Sequence, residues 1–327
     1  MKSGALPAAV SGEHVQFDGP AGRLGLYIAG EGEPLLLVHS VNAAASAAEL
    51  RPLHEHYAHA PLARRCVYSL DLPGFGSAER SDRAYTPRLM TEALHAAVEC
   101  IRRRSRFSGA IDALALSLSC EFLARAAAES PADFRSLALV SPTGFSGLHP
   151  RRGAPGSTLG KPALLRALRG PRDLWGEALF RGLTRPKVIR YFLRRTWGAR
   201  EIDEALWRYD VISARQPGAH FAPLHFLAGC LFSADIQAVY ESLVQPVWMS
   251  HGIRGDFTDY RGARIVEGRD NWQIQVFPTG ALPHFEVLPG FTASYDRFLA
   301  KAGRVAAVEA ARATGSPGAR RRGSSGG

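Results

Sequence analysis

Cysteine is scarce in this chain of 327 residues, and its four copies stand alone at positions 66, 100, 120 and 230. No short-spaced pair exists to build a metal knuckle or a redox couple, so free thiols in a reducing compartment are expected, with no metal and no cofactor. Cys66 and Cys120 sit beside apolar residues and are expected to pack rather than react. Long apolar runs are missing too: no window reaches the ~18 uninterrupted apolar residues of a membrane span. MKSGALPAAVSGEHVQ carries no long apolar stretch behind Lys2, so a soluble, cytoplasmic protein with no transmembrane segment is expected. Lysine is nearly absent, and the formal charge of +10 therefore rests on arginine. The excess is local, because residues 151 to 200 hold 13 basic residues against two acids while most of the remaining chain is acidic on balance. Basic residues interleaved with aromatics on a recognisable nucleic-acid module are lacking, so no nucleic-acid partner is expected.

What the chain does contain is a rhythm. Short apolar runs alternate with longer stretches of helical period, the pattern of an α/β fold whose mostly parallel central sheet is flanked by helices. The runs are LGLYIAG (24 to 30), PLLLVH (34 to 39), CVYSL (66 to 70), DALAL (112 to 116), LALVS (137 to 141), PVWMS (246 to 250) and QIQVF (273 to 277). Helices are expected over 45 to 57, 87 to 104, 120 to 129, 235 to 244 and 290 to 302. The rhythm breaks between 148 and 234, where basic helical patterns are separated by Gly and Pro. The expected organisation is a core of 1–147 and 235–302, a helical cap inserted at 148–234, and a basic, disordered tail at 303–327. Aromatics in the cap, Trp175 and Phe226 among them, either pack it onto the core or line a substrate pocket. In such sheets ligands bind beyond the carboxyl ends of the strands.

Those strand ends carry His39-Ser40-Val41-Asn42, then Asp71-Leu72-Pro73-Gly74-Phe75-Gly76, then Ser117 within ALALSLSCEF, and later Ser250 to Asp256 and Phe277 to Glu286. Taken in order, these segments resemble the α/β-hydrolase superfamily over roughly residues 20 to 300, the D-L-P-G-F-G-S piece being the most specific. The resemblance implies a capped serine hydrolase of the esterase kind. A serine hydroxyl attacks an acyl carbon at neutral pH only if a base takes its proton, an acid orients the base, and donors receive the oxyanion. The family's chain order of Ser, acid, His selects Ser117, Asp256 and His284, with Asp259 as a second choice of acid. Ser117 is preferred to Ser119 because its flanks, Ala115 and Ser119, are small, whereas Ser119 would be flanked by Glu121. The oxyanion donors implied are the amides of Val41 and Leu118, and Asn42 either adds a donor for substrate or is a turn residue.

Four positions depart from the family pattern. Neither flank of Ser117 is glycine, Gly255 stands where many relatives carry the acid, and Ala281 stands where they usually carry the base. Either the Ala-Leu-Pro turn is rebuilt so that His284 becomes the base, or the protein is a catalytically silent relative that binds a ligand. The basic cap leaves room for a carboxylated or phosphorylated small acyl substrate, or for an anionic membrane surface.

Overall fold

The computed structural model describes residues 6–59, 65–147, 151–170 and 174–314. Eight strands form one sheet: β1 Glu13–Gly19, β2 Gly22–Ala29, β3 Glu33–Val38, β4 Arg65–Asp71, β5 Ile111–Leu116, β6 Phe134–Val140, β7 Val247–Gly252 and β8 Trp272–Phe277. Their spatial order is β1-β2-β4-β3-β5-β6-β7-β8. Only β2 runs against the others, pairing antiparallel with β1 and with β4. From β4 to β8 every pairing is parallel, with Leu35 opposite both Val67 and Asp112. All seven runs read from the sequence are strands; β1 was missed because EHVQFDG is an edge strand whose outward residues are polar.

Side-chain alternation divides the core into two layers. Leu36, Val38, Ala113 and Ala115 face one cluster, which α2 (Pro87–Ser105) and α3 (Ser119–Glu129) cover. Leu35, Leu37, Leu114 and Leu116 face the other, which α1 (Arg51–His59) and α11 (Leu288–Thr314) cover. The start of α2 shows why its span is sharp: Thr86 accepts from the Leu89 amide and Pro87 opens the helix, while Arg106 ends it in a left-handed turn. α11 continues to Thr314, so the tail expected from 303 is helical over its first part, and residues 315 to 327 lie outside the described ones.

One end of the sheet is clasped by charge. Glu33, Arg65, Asp112 and Arg135 come one each from β3, β4, β5 and β6, and the buried Asp112 carboxylate accepts from Arg65 at 2.8 Å, from Ser136 at 2.6 Å and from Arg135. The opposite, carboxyl edge carries the insertion between β6 and β7. Within it lie α4 (Pro162–Arg169), α5 (Leu174–Leu183), α6 (Pro186–Trp197), α7 (Glu204–Ser213) and α8 (Phe221–Leu227), followed by α9 (Ile236–Ser242) and, later, the short α10 (Pro283–Glu286). Apolar contacts seat the insertion on the edge: Phe180, Ile189 and Ala214 meet Ala44, while Ala222 and Leu231 join the cluster that holds Val41 and Leu118. No described helix is long and apolar enough to cross a membrane.

Candidate active site

Strand β5 ends at Leu116 and α3 begins at Ser119, so the chain must turn within two residues. Ser117 makes that turn with φ +53°, and its amide donates to the Val140 carbonyl at 2.8 Å. A non-glycine residue in this conformation carries about 1–2 kcal/mol of strain. The turn leaves Ser117 half-buried at the carboxyl edge of the sheet, whereas Ser119 is fully buried and donates to the His39 carbonyl at 2.5 Å. Of the two serines, Ser117 alone has a hydroxyl free of protein hydrogen bonds among the described residues, and Ser119 is a strut between α3 and the loop after β3.

That loop is rigid. His39 is buried, its Nδ1–H donating to the Ser40 carbonyl and its Nε2 accepting from the Leu72 amide at 3.0 Å. Asp71 accepts from the amides of Ala47 and Ser77 and from the Ser77 hydroxyl, which fixes the turn after β4. Gly76 cannot be replaced there, because a Cβ would strike the Asp71 carboxylate. Val41 and Leu118 are buried in one apolar cluster, and neither amide donates to any described group. Backbone N–H groups without a partner are the kind of donor an oxyanion site uses.

Asn42 is tied into the loop by its own side chain. Its amide donates to Glu49 at 2.6 Å and to the Ser40 hydroxyl at 3.1 Å, and its carbonyl accepts from the Ala44 amide. Glu49, 3% exposed, also takes the Ser40 amide at 2.8 Å and the Ser40 hydroxyl at 3.0 Å. The sequence reading passed over Glu49; its one signal is Ser-Ala-Ala-Glu at 46 to 49, a capping-box spacing whose glutamate is spent on the preceding loop instead.

Among the described residues His284 and Asp256 are held by groups other than Ser117. Pro283 opens α10, and the turn directs His284 into the core, fully buried between Phe285 and Phe291. Its Nε2–H donates to the Glu49 carbonyl at 2.8 Å, and its Nδ1 is buried without a partner. Burial lowers its pKa from 6.5 to about 4. Asp256 is exposed and its carboxylate is taken by Arg195 of α6, while Asp259 is taken by Arg261 and the Gly147 amide, which hold its carboxyl well below the usual range. No hydrogen bond joins Ser117, His284 and either acid among the described residues. The insertion explains part of this. The Ala281 amide donates to the Thr196 carbonyl at 2.9 Å, and a Cβ on Gly255 would strike the Arg195 carbonyl, so the end of α6 lies against both family positions for the base and the acid.

Of the two cap aromatics, Trp175 is 64% exposed. Phe226 stacks on Phe232 at 5.4 Å against the cluster containing Val41 and Leu118. A residue absent from the sequence reading is Asp210 on α7, a helix that packs over the turn at Ala47–Leu50. It is 3% exposed, and one carboxylate oxygen has no partner. Burial first, and the charge of Glu49 second, raise its carboxyl pKa well above normal.

No family model and no curated protein matches this sequence. Solved structures do match its fold, and the chain has the α/β-hydrolase fold. A serine hydrolase involved in carbazole degradation superposes with a TM-score of 0.65 at 15% identity, over 88% of this chain and 99% of its own. A thermophilic esterase from Thermogutta terrifontis gives 0.65 at 17% identity, over 89% and 99%. The 2-hydroxy-6-oxo-6-phenylhexa-2,4-dienoate hydrolase of Rhodococcus sp. strain RHA1 gives 0.66 at 16% identity, over 88% and 99%. At these identities the likeness establishes the fold.

Proposed function

We propose that the protein is a hydrolase that opens an acyl bond, a carboxylic ester in the simplest case, with Ser117 as the attacking group. The observation that carries this reading is the φ of +53° at Ser117, backbone strain held at the point where the fold presents a nucleophile. The Ser117 oxygen attacks the acyl carbon, and the amides of Val41 and Leu118 receive the negative charge on the carbonyl oxygen. Phe226 stands on the apolar side of that site. The serine proton goes to His284 only after α10 releases the ring from the Glu49 carbonyl, and Asp256 supports the ring only after leaving Arg195; His284 then gives that proton to the departing alcohol as the ester C–O bond breaks, and a water deprotonated by His284 frees the acyl group from Ser117. The arrangement described here is therefore a resting one in this reading.

A second reading has its own observation in Ala281, whose amide is bonded to Thr196 where relatives carry the base. A protein that keeps the elbow but not the relay would bind an acyl ligand without turning it over. A fluorophosphonate probe separates the two. Labelling that disappears in Ser117→Ala, with ester turnover that falls at least a hundred-fold in His284→Ala, about the smallest share general base catalysis supplies, supports the hydrolase. No labelling, or labelling that survives Ser117→Ala, leaves the binding protein.

A further inference from the structure

The outer face of the insertion is unlike the rest of the surface. Most of the large apolar side chains that stand exposed among the described residues belong to the insertion, with Trp175 64%, Tyr191 52% and Phe192 54% exposed. α4 buries none of its residues and leaves Leu164 exposed alongside α5. On α5, Trp175, Ala178 and Gly182 recur at helical spacing and share a side. Ala178 and Gly182 continue into a shallow concavity of about 580 Å³ bordered by Arg181, Arg185, Arg215 and Glu177. Only Arg181 is neutralised, by Glu177 at 2.6 Å. Arg185 and Arg215 have no acidic partner among the described residues, and neither do Lys161 and Arg166 at α4 or Lys187 on α6.

We infer that this face docks the protein on an anionic membrane surface, with the arginine-lined concavity at the headgroups and Trp175 and Leu164 at the acyl boundary. Charge complementarity supplies the attraction, since Arg185, Arg215, Lys161, Arg166 and Lys187 of the insertion have no acidic partner among the described residues. The exposed leucine and indole choose the lipid over other polyanions: a nucleic acid stacks aromatics but offers no apolar phase for an aliphatic side chain. The inference does not depend on the chemistry at Ser117.

The test uses the full chain and vesicles of phosphatidylcholine alone or doped with phosphatidylglycerol, read by co-sedimentation at low and high salt. The protein is expected to sediment with the anionic vesicles only, and to be released by salt. Arg181→Ala, Arg185→Ala and Arg215→Ala combined should weaken partitioning on the order of a hundred-fold, about five-fold for each arginine. Trp175→Ser should weaken it at every salt concentration. Because these side chains are exposed, melting temperatures should stay at the wild-type value, so a loss of binding reports the face itself. Absence of binding to anionic vesicles, equal binding to both vesicle types, displacement by inorganic phosphate alone, or a tighter complex with single-stranded DNA that ignores Trp175→Ser would each overturn the inference.

Discussion

His284 offers a decisive measurement, because its burial and its hydrogen bond make opposite demands on pH from those of a working base. The ring is neutral when folded, with the proton on Nε2 and a pKa lowered from 6.5 to about 4 by burial. Between those values the unfolded chain binds a proton that the folded chain refuses. The stability associated with the neutral ring is therefore complete above pH 6.5 and is lost as pH falls toward 4. At 1.36 kcal/mol per unit, the interval corresponds to about 3 kcal/mol. His284→Gln keeps a donor for the Glu49 carbonyl and cannot titrate. Urea denaturation followed by tryptophan fluorescence at a series of pH values should find the variant less stable by about 1–3 kcal/mol at pH 7.5, through lost packing. The two stabilities should then converge or cross by about pH 4.5. Subtracting the curves removes every group that both proteins share, including the buried His54, whose pKa is also lowered to about 4. Curves that stay parallel within about 0.5 kcal/mol across this range would refute the reasoning, and so would an NMR titration placing His284 near 6.5.

Asp210 should behave in the reverse sense. Its folded pKa is raised above 3.8, so the wild type loses stability as pH climbs above that value, by at most about 1.4 kcal/mol per unit, and Asp210→Asn should gain on it progressively; a gap that is constant between pH 4 and 8 would contradict this. Ser117→Gly removes the Cβ from a left-handed residue and should stabilise the fold by about 0.5–1 kcal/mol, measured by urea midpoint, whereas a loss of that size would mean that the turn is not strained. Asp112→Ala strands Arg65 and Arg135 at the clasped end of the sheet and should cost about 3–5 kcal/mol; a cost below about 1 kcal/mol would show that the charges relax into solvent.

The inner strands β3 to β7 were legible because they are largely buried on both faces, so each reads as an apolar run without needing its partners. β1 escaped for the converse reason, as an edge strand with polar residues outward. The turn at Ser117 was legible as well, since an apolar run meets a helical pattern there and the flanks of Ser117, Ala115 and Ser119, are small. The groups that hold His284 and Asp256 were not legible. Which direction a loop side chain takes depends on competitors that are remote in sequence: Arg195 lies 61 residues before Asp256, and Glu49 lies 235 residues before His284. The spacing of motifs carries no information about these partners. Glu49 and Asp210 were invisible for the same reason, because an acid in a helical stretch reads as surface until the element that covers it is known.

The insertion, not the sheet, decides what the carboxyl edge can do. A point substitution that placed a histidine at 281 or an aspartate at 255 would set a side chain against the end of α6, since the Ala281 amide already holds Thr196 and a Cβ on Gly255 strikes the Arg195 carbonyl. Gly280 is closed in the same way, a Cβ there lying 2.5 Å from the Thr196 carbonyl. The small residues at 255, 280 and 281 and the close seating of α6 are thus one feature: each is tolerated only because of the other. The hydrogen bonds from Arg195 to the Asp256 carboxylate and from the Ala281 amide to the Thr196 carbonyl are the contacts that hold α6 to this edge.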